Sequence, residues 1–243
     1  MHMCGRAPFA FNEQNIAAIR KIMAAGPLPQ LPGFEAAAPP PAHGDCAAAG
    51  RAARRAAVLV PLCNRDGVAS MLFTVRSSKV STHKGQVSFP GGHIEAGEDS
   101  VEAALRETRE EIGDSLGSVE VLGLGQTLTA VTGTPVTPVL AFVQEDIGPV
   151  LPNLVLSPDE VESVFTLSVD ELLDPSFRVM DDLGLRGRLP AFTAGPSRVW
   201  GLTAVIAEGV LQRAVIPLLK DLSLMVDDTI GDESSKGPGS SSL

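Results

Sequence analysis

Apolar residues follow two periods along this chain, and each period predicts a different kind of secondary structure. Residues 11–25 carry Ile16, Ile19 and Met23 about one helical turn apart, which predicts an amphipathic helix capped by Asn12. Apolar runs of strand length follow from residue 56 onward. The runs that predict strands are 56–63, 70–76, 86–89, 119–127, 136–143 and 161–167, with edge pieces at 190–193 and 199.

Capping and stop signals predict three further helices among these strands. Asp99 is suited to cap a helix that Gly113 ends, and a short helix is expected at 170–173. Residues 201–215 carry an apolar face and predict a closing helix, which Pro217 should end. Mixed strands with a helix inserted between them imply an α/β sandwich rather than a doubly wound sheet.

Proline-rich and glycine-rich sequence divides the chain into three parts. Residues 26–53 are rich in Pro, Ala and Gly without an apolar period, which predicts a linker. The predicted organisation is an N-terminal helix and linker at 1–53, a folded domain at 54–220, and an acidic Gly/Ser-rich tail at 221–243. The N-terminal helix either packs on the domain or forms part of a mitochondrial presequence.

Composition narrows the class of protein. Apolar residues make up 44% of the 243, which is typical of a globular protein with a sizeable core. The formal charge of −10 excludes a general nucleic-acid binder. The three cysteines are few and widely spaced, which favours a reducing, intracellular compartment. No apolar run approaches the roughly 18 residues needed to span a membrane, so we expect no membrane partner.

Three carboxylates are concentrated on the helix predicted after Asp99. Glu107 and Glu111 are one turn apart, and Glu110 lies beside them. Like charges at this spacing repel unless a cation neutralises them, and Mg²⁺ or Mn²⁺ favours carboxylate oxygen. The alternative is a solvated, salt-bridged helix. A glycine turn at Gly92 favours the metal site, because glycine lets the backbone approach an ion or a phosphate closely.

The stretch from Gly92 to Asp114 resembles the Nudix box, G-x5-E-x7-R-E-U-x-E-E-x-G-U, in which U is a bulky apolar residue. The fixed positions are held by Gly92, Glu98, Arg106, Glu107, Glu110, Glu111 and Gly113. Thr108 and Asp114 stand where the pattern has apolar residues. The resemblance implies a Nudix-type α/β/α sandwich with a mixed sheet and a carboxylate-bearing catalytic helix.

The same resemblance implies a metal-dependent hydrolase that uses Mg²⁺ or Mn²⁺. The expected metal ligands are Glu107, Glu111, Glu110 as a third or bridging ligand, and the carbonyl of Gly92. Arg106 is expected to orient carboxylates such as Glu98 rather than to touch the substrate. The general base stays open among Glu107, Glu160, Glu162, His83 and His93.

A basic segment precedes the glycine turn. Arg76, Lys79, His83 and Lys84 fall within nine residues, and guanidinium and ammonium groups bind phosphates by charge-assisted hydrogen bonds. The segment is either a polyanion site or an ordinary basic loop that offsets the acidic helix.

Residues 72–92 resemble the signature of coenzyme A diphosphatases, L-L-T-x-R-S/A-x3-R-x3-G-x-V-x-F-P-G-G. Ser81 stands where this signature has its second Arg. The resemblance covers about 56–212, and 56–63 and 198–203 are most similar to the mitochondrial branch.

The second resemblance implies a small-molecule substrate. Coenzyme A, or acyl-CoA, would be cleaved at its pyrophosphate bond to 3′,5′-ADP and (acyl-)4′-phosphopantetheine. The alternatives are a Nudix hydrolase of another nucleoside diphosphate derivative, such as ADP-ribose, and a non-catalytic nucleotide sensor. For location, the mitochondrion is favoured over the cytosol and over the peroxisome, to which the final Ser241-Ser242-Leu243 would point.

Overall fold

A mixed sheet forms the centre of the protein, whose computed structural model describes residues 8–26, 54–80, 83–182 and 187–222. The strands are β1 (Ala56–Arg65), β2 (Val68–Arg76), β3 (Val87–Ser88), β4 (Gly91–His93), β5 (Val119–Leu124), β6 (Leu128–Thr129), β7 (Pro135–Val143), β8 (Val161–Ser168), β9 (Arg178–Asp182) and β10 (Arg188–Phe192). The helices are α1 (Glu13–Ala24), α2 (Ser100–Ile112), α3 (Val169–Leu173) and α4 (Gly201–Val210).

Parallel and antiparallel pairings are combined in this sheet. Its main path runs β3-β2-β1-β7-β5, with β4 paired to β1, β6 to β7 and β8 to β2. β1 and β7 are parallel, from Ala56 opposite Val136 to Leu62 opposite Phe142. The other pairings in this sheet are antiparallel. β9 and β10 form a separate ribbon, and the predicted α/β fold with a mixed sheet is confirmed.

Alternate residues of the central strands face two helical layers, because successive strand side chains point to opposite faces. Ala57 and Leu59 of β1 pack with Ala103 and Ala104 of α2. The next position, Val60, packs in the core that contains the buried residues of α1 and α4. Helix α2 therefore covers one face of the sheet, and α1 and α4 cover the other.

Helix α1 packs on the domain through its apolar stripe. Ile16, Ile19 and Met23 are buried in the main core. The side chain of Asn12 accepts a hydrogen bond from the backbone N of Asn15 at 2.9 Å, so the predicted cap is present. The predicted linker lies outside the described residues except for Gly26, and so does the predicted tail beyond residue 222.

The C-terminal helix is longer than the sequence predicted. α4 continues through a π-helical turn at Leu211–Val215 and a further helical segment at 216–222. Pro217 was expected to end the helix because proline lacks an N–H and clashes with the carbonyl four residues earlier. The wider π turn just before Pro217 changes that hydrogen-bonding pattern, and the helix continues.

This extension corrects the expectation that no apolar stretch reaches membrane-spanning length. Gly201–Leu222 is, within the described ranges, the one helix long and apolar enough to cross a membrane, with a mean hydropathy of 1.6. The helix predicted from the sequence stopped before Pro217 and was therefore too short. More than half of the apolar window, 56%, is buried inside the protein, which is what a core helix shows.

Candidate active site

A complete capping box orients the start of α2. The carboxylate of Asp99 accepts from the backbone N of Val101 at 2.8 Å and of Glu102 at 2.9 Å. Glu102 in turn accepts from the backbone N of Asp99 at 3.0 Å. Thr108, at an apolar position of the box pattern, is buried and donates its hydroxyl to the carbonyl of Ala104 at 2.6 Å. Because its hydroxyl is satisfied inside the helix, Thr108 packs there without an orphaned polar group.

A cleft of about 770 Å³ lies between α2, the glycine turn, the end of β2 and the start of α4. Its polar lining includes Arg76, His83, Gln86, His93, Glu107, Glu111 and Glu160. Its apolar lining includes Val58, Val80, Phe89, Val131, Val136, Trp200, Leu202 and Ile206. The cleft thus combines a carboxylate wall with an apolar wall.

Glu111 is a buried side chain that lines this cleft. Its side chain accepts one hydrogen bond from the backbone N of Gly91 at 3.2 Å, and the residue is only 4% exposed. Burial raises the pKa of Glu111 from 4.5 to about 8; the Gly91 N–H and nearby Arg76 oppose the shift, while Glu107 and Glu160 add to it. No described cation lies within ion-pair distance of Glu111.

Glu107 lies one turn earlier, against the glycine turn. A Cβ atom on Gly92 would lie 2.5 Å from the carboxylate carbon of Glu107, so only glycine leaves room for this carboxylate beside the backbone. Burial raises the pKa of Glu107, and the guanidinium of Arg106 at 3.2 Å opposes that shift. Glu107 and Glu111 therefore form a desolvated carboxylate pair on the cleft wall.

Arg106 binds several acceptors beside this pair. It donates to Glu98 at 2.7 Å, to the carbonyl of His93 at 3.1 Å and to Glu110 at 3.1 Å. The hydrogen bond from Arg106 lowers the pKa of Glu98. Arg106 thereby joins the helix to the loop that carries Glu98, and neither of these two residues lines the cleft.

The predicted carboxylate trio is divided by the structure. Glu107 and Glu111 line the cleft, whereas Glu110 is turned toward Arg106, its side chain is 54% exposed, and it is outside the lining. Within the residues that the structure describes, no three His, Cys, Asp or Glu side chains converge into a group that could hold a metal ion by themselves.

The carboxylate pair nevertheless fits a hard divalent cation. Mg²⁺ in phosphoryl-transfer sites is commonly held by one or two carboxylates, with waters and substrate oxygens completing its shell. Two desolvated carboxylates with raised pKa values gain most from such a cation, because their ionised forms are otherwise poorly solvated. The close approach of Glu107 to Gly92 also places a backbone turn beside the pair.

The predicted basic residues separate into two groups. Arg76 and His83 line the cleft, and the Nε atom of Arg76 is buried without a hydrogen-bond partner in the described chain. Lys79 forms an exposed ion pair with Asp159 at 3.0 Å, and Lys84 is exposed; neither lines the cleft. The position of the missing signature arginine, Ser81, lies outside the described residues.

The candidates for general base also separate. Glu107, Glu160, His83 and His93 line the cleft, whereas Glu162 does not. The backbone carbonyl of Glu160 accepts from the N–H of Ser77 at 2.8 Å, which fixes Glu160 beside the end of β2. The ring of His83 is hydrogen-bonded to Gln86 at 2.8 Å.

Sequence reasoning missed the apolar wall of the cleft. Trp200 and Val131 border it and are 44% and 78% exposed. Neither belongs to a charged motif, and Val131 lies in a short polar segment between two predicted strands. The position of the one tryptophan of the sequence, directly before a predicted helix, was an available signal, because large aromatic side chains dominate contacts at binding surfaces.

Comparison with known proteins agrees with this geometry. Residues 53–183 match the NUDIX domain. The chain is 45% identical over 164 residues to the mitochondrial coenzyme A diphosphatase NUDT8 of Homo sapiens, covering 65% of this chain and 68% of that protein. The protein of the same name from Mus musculus is 43% identical, covering 65% of this chain and 76% of that protein.

One solved structure aligns with part of the chain. The MutT/nudix family protein from Enterococcus faecalis is 16% identical and aligns with a TM-score of 0.44 over 71% of this chain and 64% of that one. The family match spans more than half of the chain and contains α2, the glycine turn and the carboxylate pair. The chain belongs to the Nudix hydrolase family.

Proposed function

We propose that this protein hydrolyses the pyrophosphate bond of coenzyme A or acyl-CoA to 3′,5′-ADP and (acyl-)4′-phosphopantetheine. The observation that carries the proposal is one cleft in which two desolvated carboxylates, Glu107 and Glu111, face the same space as Arg76, whose buried Nε has no hydrogen-bond partner in the described chain. The human and mouse relatives bear the name coenzyme A diphosphatase, and the signature before the box supports the same substrate.

Glu107 and Glu111 would hold Mg²⁺ or Mn²⁺, with the Gly92 carbonyl as a backbone ligand. Glu110, which does not line the cleft, would add negative charge near the cation. The bound cation supplies Lewis-acid polarisation of the phosphoryl oxygens. Arg106 orients Glu98, Glu107 and Glu110 through its three ion pairs. Water adds to one phosphorus, the bridging P–O bond breaks, and the released proton passes to a carboxylate or an imidazole that lines the cleft.

Arg76 would bind the substrate phosphates. The backbone of Arg76 lies at an irregularity in the pairing of β2 with β8, where the register shifts between Val75 and Arg76. Because its Nε lacks an internal acceptor in the described chain, a phosphate oxygen would satisfy it. His83 lines the same cleft and would assist, whereas Lys79 and Lys84 would act through the general electrostatic field.

The test of the proposed function is product analysis with purified full-length protein. Coenzyme A, acetyl-CoA, dephospho-CoA and ADP-ribose are each incubated with Mg²⁺ or Mn²⁺, and the products are identified by mass. We expect 3′,5′-ADP and 4′-phosphopantetheine from coenzyme A, and no product in the presence of a chelator. Faster cleavage of ADP-ribose would favour the broader Nudix activity instead, and tight binding without cleavage of any substrate would indicate a sensor.

We propose the mitochondrion as the compartment, supported by the names of the two relatives and by the similarity at 56–63 and 198–203. The peroxisome and the cytosol are the alternatives. Fractionation of cells that express the untagged chain distinguishes the three compartments, because neither terminus is then blocked.

A further inference from the structure

Trp200 is a large aromatic side chain whose indole ring has few interactions within the described part of the chain. It borders the cleft and is 44% exposed. Phenylalanine rings elsewhere contact one another, as in the stacked pair of Phe73 and Phe89 with centroids 5.0 Å apart. Within the described ranges, the indole of Trp200 makes neither a ring contact nor a side-chain hydrogen bond. A ligand in the cleft is therefore free to use its face.

The backbone on both sides of Trp200 is held firmly. Val199 is fully buried and exchanges two hydrogen bonds with Phe192, at 2.8 and 3.0 Å. On the other side, the hydroxyl of Thr203 donates to the carbonyl of Val87 at 3.0 Å. The exposed indole thus projects from an ordered junction between a β-bridge and α4, which is the kind of rigid support that a binding platform needs.

A second exposed apolar side chain, Val131, lies on the same cleft. It belongs to the turn between β6 and β7, which is closed by hydrogen bonds from Ala130 N to the Thr134 carbonyl at 2.9 Å and from Gly133 N to the Ala130 carbonyl at 2.8 Å. The volume of about 770 Å³ exceeds what a diphosphate fills. The apolar wall is therefore available to a group attached to the diphosphate.

We propose that Trp200 is the stacking platform for the adenine ring of the substrate, with Val131 also contacting the nucleoside. This inference rests on the proposed function, because it places one half of coenzyme A in the cleft. A planar base gains most from a flat indole face. The pantetheine arm is a flexible chain with two amides, and it would leave their polar groups unpaired against an apolar wall. Trp200 is thus a specificity-determining residue for nucleotide-containing pyrophosphates.

The composition of the chain makes this inference directly measurable. The sequence contains one tryptophan and no tyrosine, so long-wavelength protein fluorescence comes from Trp200 alone. Titration of the full chain with 3′,5′-ADP should quench this fluorescence saturably, whereas 4′-phosphopantetheine should leave it nearly unchanged. A saturable response to 4′-phosphopantetheine without one to 3′,5′-ADP would overturn the assignment.

Substitution gives an independent test with a matched control. Trp200→Leu should raise KM for coenzyme A about tenfold with little change in kcat, and Trp200→Phe should restore most of the loss because it keeps an aromatic face. Phe177→Leu is the control, since Phe177 is similarly exposed, at 37%, and lies outside the cleft lining.

The two proposals fail in distinguishable ways. If the wild-type protein cleaves coenzyme A but Trp200→Leu leaves KM unchanged, the adenine assignment is wrong and the proposed function stands. If the wild-type protein does not cleave coenzyme A in any divalent cation, the proposed function fails, and saturable quenching by 3′,5′-ADP still supports the adenine platform.

Discussion

Two buried glutamates, one on each side of the sheet, have opposite environments. Glu208 on α4 is 5% exposed and accepts from Arg178 at 2.7 and 3.1 Å and from Gln212 at 3.0 Å. Glu111 on α2 is 4% exposed and, among the described residues, accepts one hydrogen bond, from the Gly91 N–H. Glu208 is paired within the protein, which suits a structural role, whereas Glu111 has no described cation within ion-pair distance, which suits a carboxylate that binds a cation from outside.

The largest effect expected from this contrast is on catalysis. Glu107→Gln and Glu111→Gln should each lower kcat for coenzyme A by at least about a hundredfold, because each removes a charge that balances a bound cation. Glu208→Gln should leave kcat nearly unchanged. Steady-state rates with saturating Mg²⁺, together with circular dichroism to verify folding, test the difference.

Glu110→Gln sharpens the same comparison within α2. Its side chain faces solvent and Arg106 rather than the cleft, so the loss should be smaller than at either cleft carboxylate. A loss as large as that of Glu107→Gln would show that Glu110 turns into the site when the cation binds. Near-wild-type rates for both Glu107→Gln and Glu111→Gln would contradict the whole mechanism.

The free energy of unfolding should depend on these residues in the reverse order, with the loss at Glu208 rather than at Glu111. Glu208→Gln should lower the free energy of unfolding by about 1–3 kcal/mol, because it breaks the pair with Arg178, which is partly exposed. Glu111→Gln should raise the stability of the metal-free protein at neutral pH, since it replaces a buried carboxylate by a neutral amide. Denaturant unfolding in the presence of a chelator measures both.

The stability of the metal-free protein should fall as pH rises, because the pKa of Glu111 differs between the folded and unfolded states. The folded-state pKa of Glu111 is raised from 4.5 to about 8, so the folded protein keeps a proton that the unfolded chain releases. This stabilising contribution is complete below about pH 4.5 and is lost as pH rises toward about 8, at up to about 1.4 kcal/mol per pH unit. The slope should become shallower in Glu111→Gln, with the raised pKa of Glu107 contributing what remains, and an unchanged slope would show that another group titrates.

The smallest effects are expected at two glycines, Gly92 and Gly209. Gly92→Ala would place a Cβ atom 2.5 Å from the carboxylate carbon of Glu107, so we expect about a tenfold loss of kcat as that side chain is displaced. Gly209→Ala on α4 would meet nothing within 4 Å and should stabilise the protein by up to about 1 kcal/mol. Steady-state kinetics should therefore show a lower kcat for Gly92→Ala, and thermal unfolding should show a higher stability for Gly209→Ala.

Local sequence was sufficient to predict α2 because its signals are short-range. The capping box at Asp99 and the glycine at its C-terminal end define Ser100–Ile112 without help from the rest of the fold. Helical spacing alone, however, placed Glu110 beside Glu107 and Glu111. The structure separates it because the Arg106 guanidinium, one turn earlier on the helix, binds it outside the cleft.

The other half of the cleft depends on long-range contacts. Lys79 was expected at the phosphate site, but it forms an ion pair with Asp159, a residue brought close when β8 pairs with β2. Glu160 enters the cleft through the same pairing. β6 and β9 were not predicted, because their apolar signals are short and their partners are set by the tertiary fold.

The parallel pairing of β1 with β7 also determines when the site can form during synthesis. Its partners, such as Ala56 and Val136, are roughly 80 residues apart, and α2 lies in the segment between them. A ribosome therefore releases the carboxylate helix well before the strand that completes its supporting sheet. Until β7 emerges, the nascent chain carries exposed apolar surface on β1, so this interval is where a chaperone would most increase the yield of folded protein.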